Sequence, residues 1–203
     1  MKPYSMQGLE ECGFLSKMFG SKPTENGWKE LNNLLAAAPD ALAVSADDVH
    51  HALKKWGVKF NDDNFNQRSG IYRKLADVVF TEVQTKEDGL WAQLAHLAEI
   101  LELPPHLAKQ ADKAAKTAAY FVRCRDLLAG NEKLDIKQLN DLFGYDYEDS
   151  LSMRKQVFQA HFNQKFDEIS SAQRYTPDEE AALRADCATL DIPYELKNNI
   201  VSA

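Results

Sequence analysis

Glycine-rich phosphate loops, paired cysteines, long apolar runs and an excess of basic charge are all missing from this chain. Each absence removes a class of function. Neither G-x-G-x-x-G nor G-x-x-x-x-G-K-[ST] occurs, so no local cradle for nucleotide phosphates is encoded. G-x-S-x-G and H-E-x-x-H are also absent, which leaves no nucleophile elbow and no zinc-protease helix. The cysteines Cys12, Cys124 and Cys187 are odd in number, far apart and without a C-x-x-C pair. That pattern fits a reducing compartment rather than a disulfide framework or a zinc site. No apolar run approaches the roughly 18 residues that would cross a bilayer, and Gln7, Glu10 and Glu11 interrupt any signal-peptide stretch. A cytoplasmic location is the expectation.

The chain carries a net charge of −7, unevenly placed. Residues 1–133 hold 17 basic and 18 acidic side chains, whereas residues 134–203 hold 7 and 13, a net of −6. Phosphate binding needs a basic face, so free nucleic acid is not the expected partner. A protein with a basic surface suits the acidic C-terminal third better, and a solvated acidic surface is the plainer alternative.

What the chain does have points to helices. Nine glycines and seven prolines leave few breakers, and 44% hydrophobic residues, including 10 Phe and 7 Tyr, suffice for a packed core. Trp28, Leu31, Leu34 and Leu35 mark a helix closed near Pro39. Ser45 opens the next as a capping box with Asp48, and Gly57 ends it. Val58 and Phe60 then read as a brief extended piece, and Asn61 to Asn66 as a polar loop. Ile71, Leu75, Val78, Val79 and Val83 mark a long helix, and Thr85 is placed to cap the one after it, which runs to Leu103-Pro104. An Ala-rich stretch over 105–129 reads as a long connecting helix closed by Gly130. Asp135, Gly144 and Thr176-Pro177-Asp178-Glu179 mark further helix starts and stops.

The C-terminal third repeats the order of the first half. Trp56-Gly57-Val58-Lys59-Phe60 matches Phe143-Gly144-Tyr145-Asp146-Tyr147, offset by 87. Phe80-Thr81-Glu82-Val83 matches Phe166-Asp167-Glu168-Ile169, offset by 86. Leu94, Ala98, Leu101, Leu103-Pro104 and Leu107 match Leu183, Cys187, Leu190, Ile192-Pro193 and Leu196, offset by 89. The fold class expected is therefore all-α, a duplicated helical bundle of nine to ten helices around a central long helix. Its parts are an N-terminal amphipathic segment and helix (1–42), a first module (43–110), the connecting helix (105–130) and a second module (131–203), together one compact unit.

Residues 172–183, Ala-Gln-Arg-Tyr-Thr-Pro-Asp-Glu-Glu-Ala-Ala-Leu, continue to Leu190-Asp191-Ile192-Pro193. This run resembles the helix–turn–helix unit of TerB-like (tellurite-resistance type) proteins, well over the last 40 residues and loosely over the first copy. The resemblance implies an all-helical, often duplicated domain acting as a metal-responsive or protein-binding module in stress or defence. Gln173-Arg174 stands where that family carries Asp-Gly, and an arginine there opposes a cation.

Chemistry-bearing clusters are few. Asp47 with His50, or Asp48 with His51, offers two metal ligands on one turn, and a tight site needs three or four. The loop from Asp62 resembles a calcium loop only until Gln67 and Arg73, which take the positions of the required Gly and Glu. No catalytic or cofactor-binding residue is singled out. The expected contact surface is the pair of helix–Gly–aromatic corners: Trp56 and Phe60 in one, Tyr145, Asp146, Tyr147, Glu148 and Asp149 in the other. Core packing of the same rings is the competing reading. Phe14, Leu15, Met18 and Phe19 form a short amphipathic face that docks on protein or lies weakly on a membrane. The leading expectation is a non-catalytic interaction or regulatory protein. A divalent-metal-responsive module comes second, and an enzyme whose site only the fold assembles comes third.

Overall fold

The computed structural model describes residues 3–11, 23–172 and 176–193, with side chains of 166–172 left out. Among these residues it holds eight α-helices, two single 3-10 turns and no strand. In chain order the helices are α1 (Glu25–Ala37), α2 (Ala46–Lys54), α3 (Phe65–Glu82), α4 (Leu90–Ile100), α5 (Pro105–Leu128), α6 (Ile136–Phe143), α7 (Tyr147–Ala172) and α8 (Pro177–Thr189). The all-α class therefore holds, with eight helices described rather than nine or ten. The amphipathic face of Phe14, Leu15, Met18 and Phe19 lies outside the described residues, as does Cys12.

The chain divides into two compact units, Met1–Lys116 and Thr117–Ala203, and the division falls within α5. In the first unit, Leu31 and Leu35 of α1, Val49 and Leu53 of α2, Ile71, Leu75 and Val79 of α3, and Leu94 and Leu97 of α4 are all buried. These are the apolar positions spaced at three and four residues, each stripe hidden against the others. Gly27 is buried in α1 because a Cβ there would meet Val58 Cγ2 at 2.8 Å. In the second unit the core is Tyr120 and Cys124 of α5, Leu139 and Phe143 of α6, Val157 and Phe158 of α7, and Leu183 and Cys187 of α8.

Three helix starts follow the local code. Ser45, Asp135 and Thr176 each accept from the backbone N–H three residues on, and Asp48, Gln138 and Glu179 reach back in return. Gly57, Gly130 and Gly144 sit at positive φ (73°, 73° and 62°) just past α2, α5 and α6. Only glycine takes that conformation without steric cost.

Three expectations are corrected. α3 starts at Phe65, preceded by a 3-10 turn over Asp62–Asn64, so most of the supposed loop is helical. There Asn64 Oδ1 accepts from Asn61 N and Asn64 Nδ2 donates to the Lys59 carbonyl, which makes this asparagine a helix-start device. Thr85 does not cap α4. Its carbonyl accepts from the Trp91 indole; Gly89 holds the N-cap position without a side-chain cap, and Asp88 Oδ1 accepts from Leu90 N just before it. Tyr147, the sequence match of Phe60 in the piece expected to be extended, opens α7 instead, where Asp146 Oδ1 accepts from Asp149 N at 2.7 Å.

Candidate functional site

The two helix–Gly–aromatic corners share a skeleton. At the end of α2, Val58 N donates to the Leu53 carbonyl and Gly57 N to that of Lys54, both at 3.0 Å. At the end of α6, Tyr145 N donates to Asn140 (2.9 Å) and Gly144 N to Asp141 (3.2 Å). Each pair is a Schellman-type stop that turns the chain through an aromatic residue.

Behind each corner lies a buried arginine. Arg68, on the first turn of α3, is 2% exposed. Its Nη1 donates to the carbonyls of Leu101 (3.1 Å) and Glu102 (2.9 Å), and its Nη2 to that of Asn61 (2.8 Å). Its guanidinium lies over the rings of Phe60 and Phe65, 4.7 and 4.4 Å from their centres. Burial lowers its affinity for the proton, and Glu102 and Asp62 oppose that shift. Arg154, on the second turn of α7, is fully buried. Its Nη1 donates to the carbonyls of Leu190 and Asp191, both at 2.8 Å, and its guanidinium lies 4.9 Å from the Tyr147 ring centre. Asp191 Oδ2 stands 3.2 Å from the same nitrogen.

The bonded helix ends also match. Leu101, Glu102 and Leu103 donate to Leu97, Glu99 and Ala98; Leu190, Asp191 and Ile192 donate to Asp186, Ala188 and Cys187. Glu102 and Asp191 both take positive φ, 47° and 50°. In each unit the guanidinium gathers carbonyls that a helix end leaves without backbone partners. Neither arginine was visible as a site in the sequence. The one available signal was a cation at the same register of both long helices, 86 residues apart.

The predicted contact residues divide by burial. Trp56 is half-buried and its indole N–H donates to Glu30, which also pairs with Lys55 at 2.8 Å. Burial pushes the Glu30 carboxyl up, but the Lys55 and Trp56 hydrogen bonds outweigh it and hold the group below its ordinary range. Phe60 is half-buried, stacked on Trp28 at 6.4 Å and met edge-on by His50 at 5.5 Å. Tyr145 is half-buried against Tyr120 and Phe143, and burial raises its hydroxyl pKa. Tyr147 is 43% exposed, with Asp146, Glu148 and Asp149 exposed beside it. Asp146 caps α7, and Glu148 and Asp149 lie in its first turn, where carboxylates complement the helix dipole.

The weak metal candidates do not converge. His50 Nε2 stands 3.1 Å from Glu102 Oε1, while His51, one residue on, lies near Glu30 instead. Asp47 is exposed in the first turn of α2. Among the described residues no group of three His, Cys, Asp or Glu side chains could hold a metal ion, and no helix is long and apolar enough to cross a membrane. The described cysteines are buried, and burial pushes the Cys124 thiol up to about 12. Compared with protein-family models, curated proteins and solved structures, the chain matches none of them.

Proposed function

We propose that this chain is a protein-interaction module, built by duplicating one arginine-clamped helical unit, that contacts a basic protein surface through Tyr147, Glu148 and Asp149. The observation that carries this reading is the divergence of two otherwise matching corners. The first corner tucks Phe60 against Trp28, whereas the second leaves its counterpart Tyr147 exposed among carboxylates. An amphipathic ring on a fixed helix start, packed on a buried guanidinium and flanked by exposed carboxylates, suits a partner contact. Duplication itself is supported by the paired arginines, glycines and positive-φ helix ends. A regulatory role in a bacterial-type stress or defence pathway follows from the TerB-like resemblance and is part of the same proposal. The chain's described thiols and most of its histidines are engaged in packing or hydrogen bonds, which favours binding over catalysis.

The test is site-specific photo-cross-linking from position 147 in the native host, compared with the Glu148→Lys/Asp149→Lys variant. A discrete adduct with a basic protein, lost on charge reversal, is the expected result. Equal adducts from both proteins, or a rise in thermal midpoint on adding calcium, zinc or manganese after EDTA, would sink the reading and bring forward the metal-responsive alternative.

A further inference from the structure

Residues 3–11 form no helix, yet side chains of α1 bond along them. They run antiparallel along α1, and asparagine side chains read their main chain. Asn33 Oδ1 accepts from Gln7 N at 2.6 Å and Asn33 Nδ2 donates to the Gln7 carbonyl at 2.8 Å. Asn26 repeats the pattern on Glu10, accepting from its N at 2.7 Å and donating to its carbonyl at 2.8 Å. Asn32 Nδ2 donates to the Ser5 carbonyl at 2.6 Å. The spacing is a register. Seven helical residues rise about 10.5 Å, and three extended residues cover about 10 Å, so Asn26 and Asn33 meet every third residue of an extended strand.

Two side chains of the arm add anchors. Tyr4 is 7% exposed and its hydroxyl donates to the Ile71 carbonyl at 2.9 Å. Glu10 pairs with Lys29 at 2.7 Å. Between these anchors Met6 is 70% exposed and Leu9 42%, an unusual fate for apolar side chains. The groove thus recognises backbone, one tyrosine and one carboxylate, and is indifferent to much of what the arm carries. At its Pro3 end it opens on a cavity of about 380 Å³ lined by Leu35, Leu75, Val78 and Leu90.

We infer that the α1 face bearing Asn26, Asn32 and Asn33 is a main-chain-reading site for an extended segment of a partner protein, and that residues 4–10 are its intramolecular occupant. The fitting segment carries a tyrosine, a carboxylate six residues later, and free backbone N–H groups at the third and sixth positions after the tyrosine. Main-chain bonds supply affinity and the two anchors supply specificity, as in strand addition to a sheet edge. An arm closing in cis has an effective concentration on the order of millimolar. A second copy's identical arm gains nothing over it, so the occupant that displaces it is a foreign segment with better contacts. This site lies apart from the Tyr147 corner and does not depend on it.

The test uses the full chain and a fluorescent peptide of residues 3–11, read by anisotropy. Gln7→Pro removes the N–H that Asn33 accepts and weakens the cis arm, so this chain is expected to capture the peptide at least about tenfold more tightly than wild type. Tyr4→Phe, which keeps the ring and removes only the Ile71 bond, is the second weakened-arm chain. Adding Asn33→Ala to either chain, or N-methylating the peptide at Gln7, is expected to lose that gain, whereas Gln7→Ala in the peptide leaves it. If both weakened-arm chains keep their helical content yet capture no peptide, or if the N-methylated peptide binds equally, the inference falls. Wild-type dimers with exchanged arms at micromolar concentration would overturn the choice of a foreign segment.

Discussion

Replacing Arg154 by methionine keeps most of the side-chain volume and deletes the clamp on the end of α8. Two hydrogen bonds at 2.8 Å, to the carbonyls of Leu190 and Asp191, are lost from a fully buried donor. A hydrogen bond to a charged group contributes about 1.5–3 kcal/mol, and leaving its buried acceptor unpaired costs the group's desolvation. Part of that loss is offset, because the guanidinium no longer has to be desolvated. A net destabilisation of about 3 kcal/mol is expected, and at about 2–4 °C per kcal/mol for a chain of this size that lowers the midpoint by roughly 6–12 °C. Lysine recovers less than half, since one ammonium cannot span both carbonyls while lying flat beside the Tyr147 ring. The assay is thermal unfolding by circular dichroism, combined with native-state hydrogen exchange at Leu190, Asp191 and Ile192. Arg68→Met, which orphans the carbonyls of Leu101, Glu102 and Asn61, is expected to cost a similar amount in the first unit. A midpoint for Arg154→Met within about 2 °C of wild type, with exchange at 190–192 unchanged, would refute the reasoning.

Two other buried groups give independent expectations. Burial pushes the Glu132 carboxyl up, but the bidentate bonds from Arg123 (2.6 and 3.0 Å) and the backbone N–H groups of Leu134 and Lys133 outweigh it and hold its pKa low. A depressed folded-state pKa contributes stability that is present above the ordinary glutamate range and lost as pH falls through the lowered value. Glu132→Gln, which removes the charge and one of the two oxygens that Arg123 engages, is therefore expected to cost about 1.5–3 kcal/mol at pH 7 and to flatten the acid limb of a urea-midpoint titration between pH 5 and pH 2; an unchanged limb would count against it. Cys124 is buried, with its thiol raised to about 12. Iodoacetamide at pH 8 is expected to leave it unmodified in the native chain and to label it in guanidinium, read by peptide mass, and native labelling within minutes would contradict its burial.

Local signals carried most of the helix boundaries. Ser45 with Asp48, Asp135 with Gln138, and Thr176 with Glu179 act across three residues, so their pattern is complete in the sequence. The glycines after α2, α5 and α6 are legible for the same reason, since positive φ is a one-residue property. Where a local device is not used, the reading slips: Thr85 is an acceptable helix start, but the helix begins at Leu90 with Gly89 at its N-cap position, where the apolar run starts.

The candidate site was legible only as a set of residue types. Whether an aromatic at a corner is core or surface depends on what packs over it, so Phe60 and Tyr147, matched in sequence, end half-buried and exposed. Arg68 and Arg154 read as ordinary surface cations, because the helix-end carbonyls they gather lie 33 to 37 residues away in the chain. Asn32 and Asn33 read as polar positions of an amphipathic helix and Asn26 as part of the stretch before it, since their partners arrive from an arm 16 to 27 residues earlier. Composition, capping chemistry and glycine placement act within one turn and determined by themselves that the chain is helical and where most helices begin and end. Burial of charge and the reading of one segment's backbone by another require elements distant in sequence to meet, and the tertiary structure alone decided those.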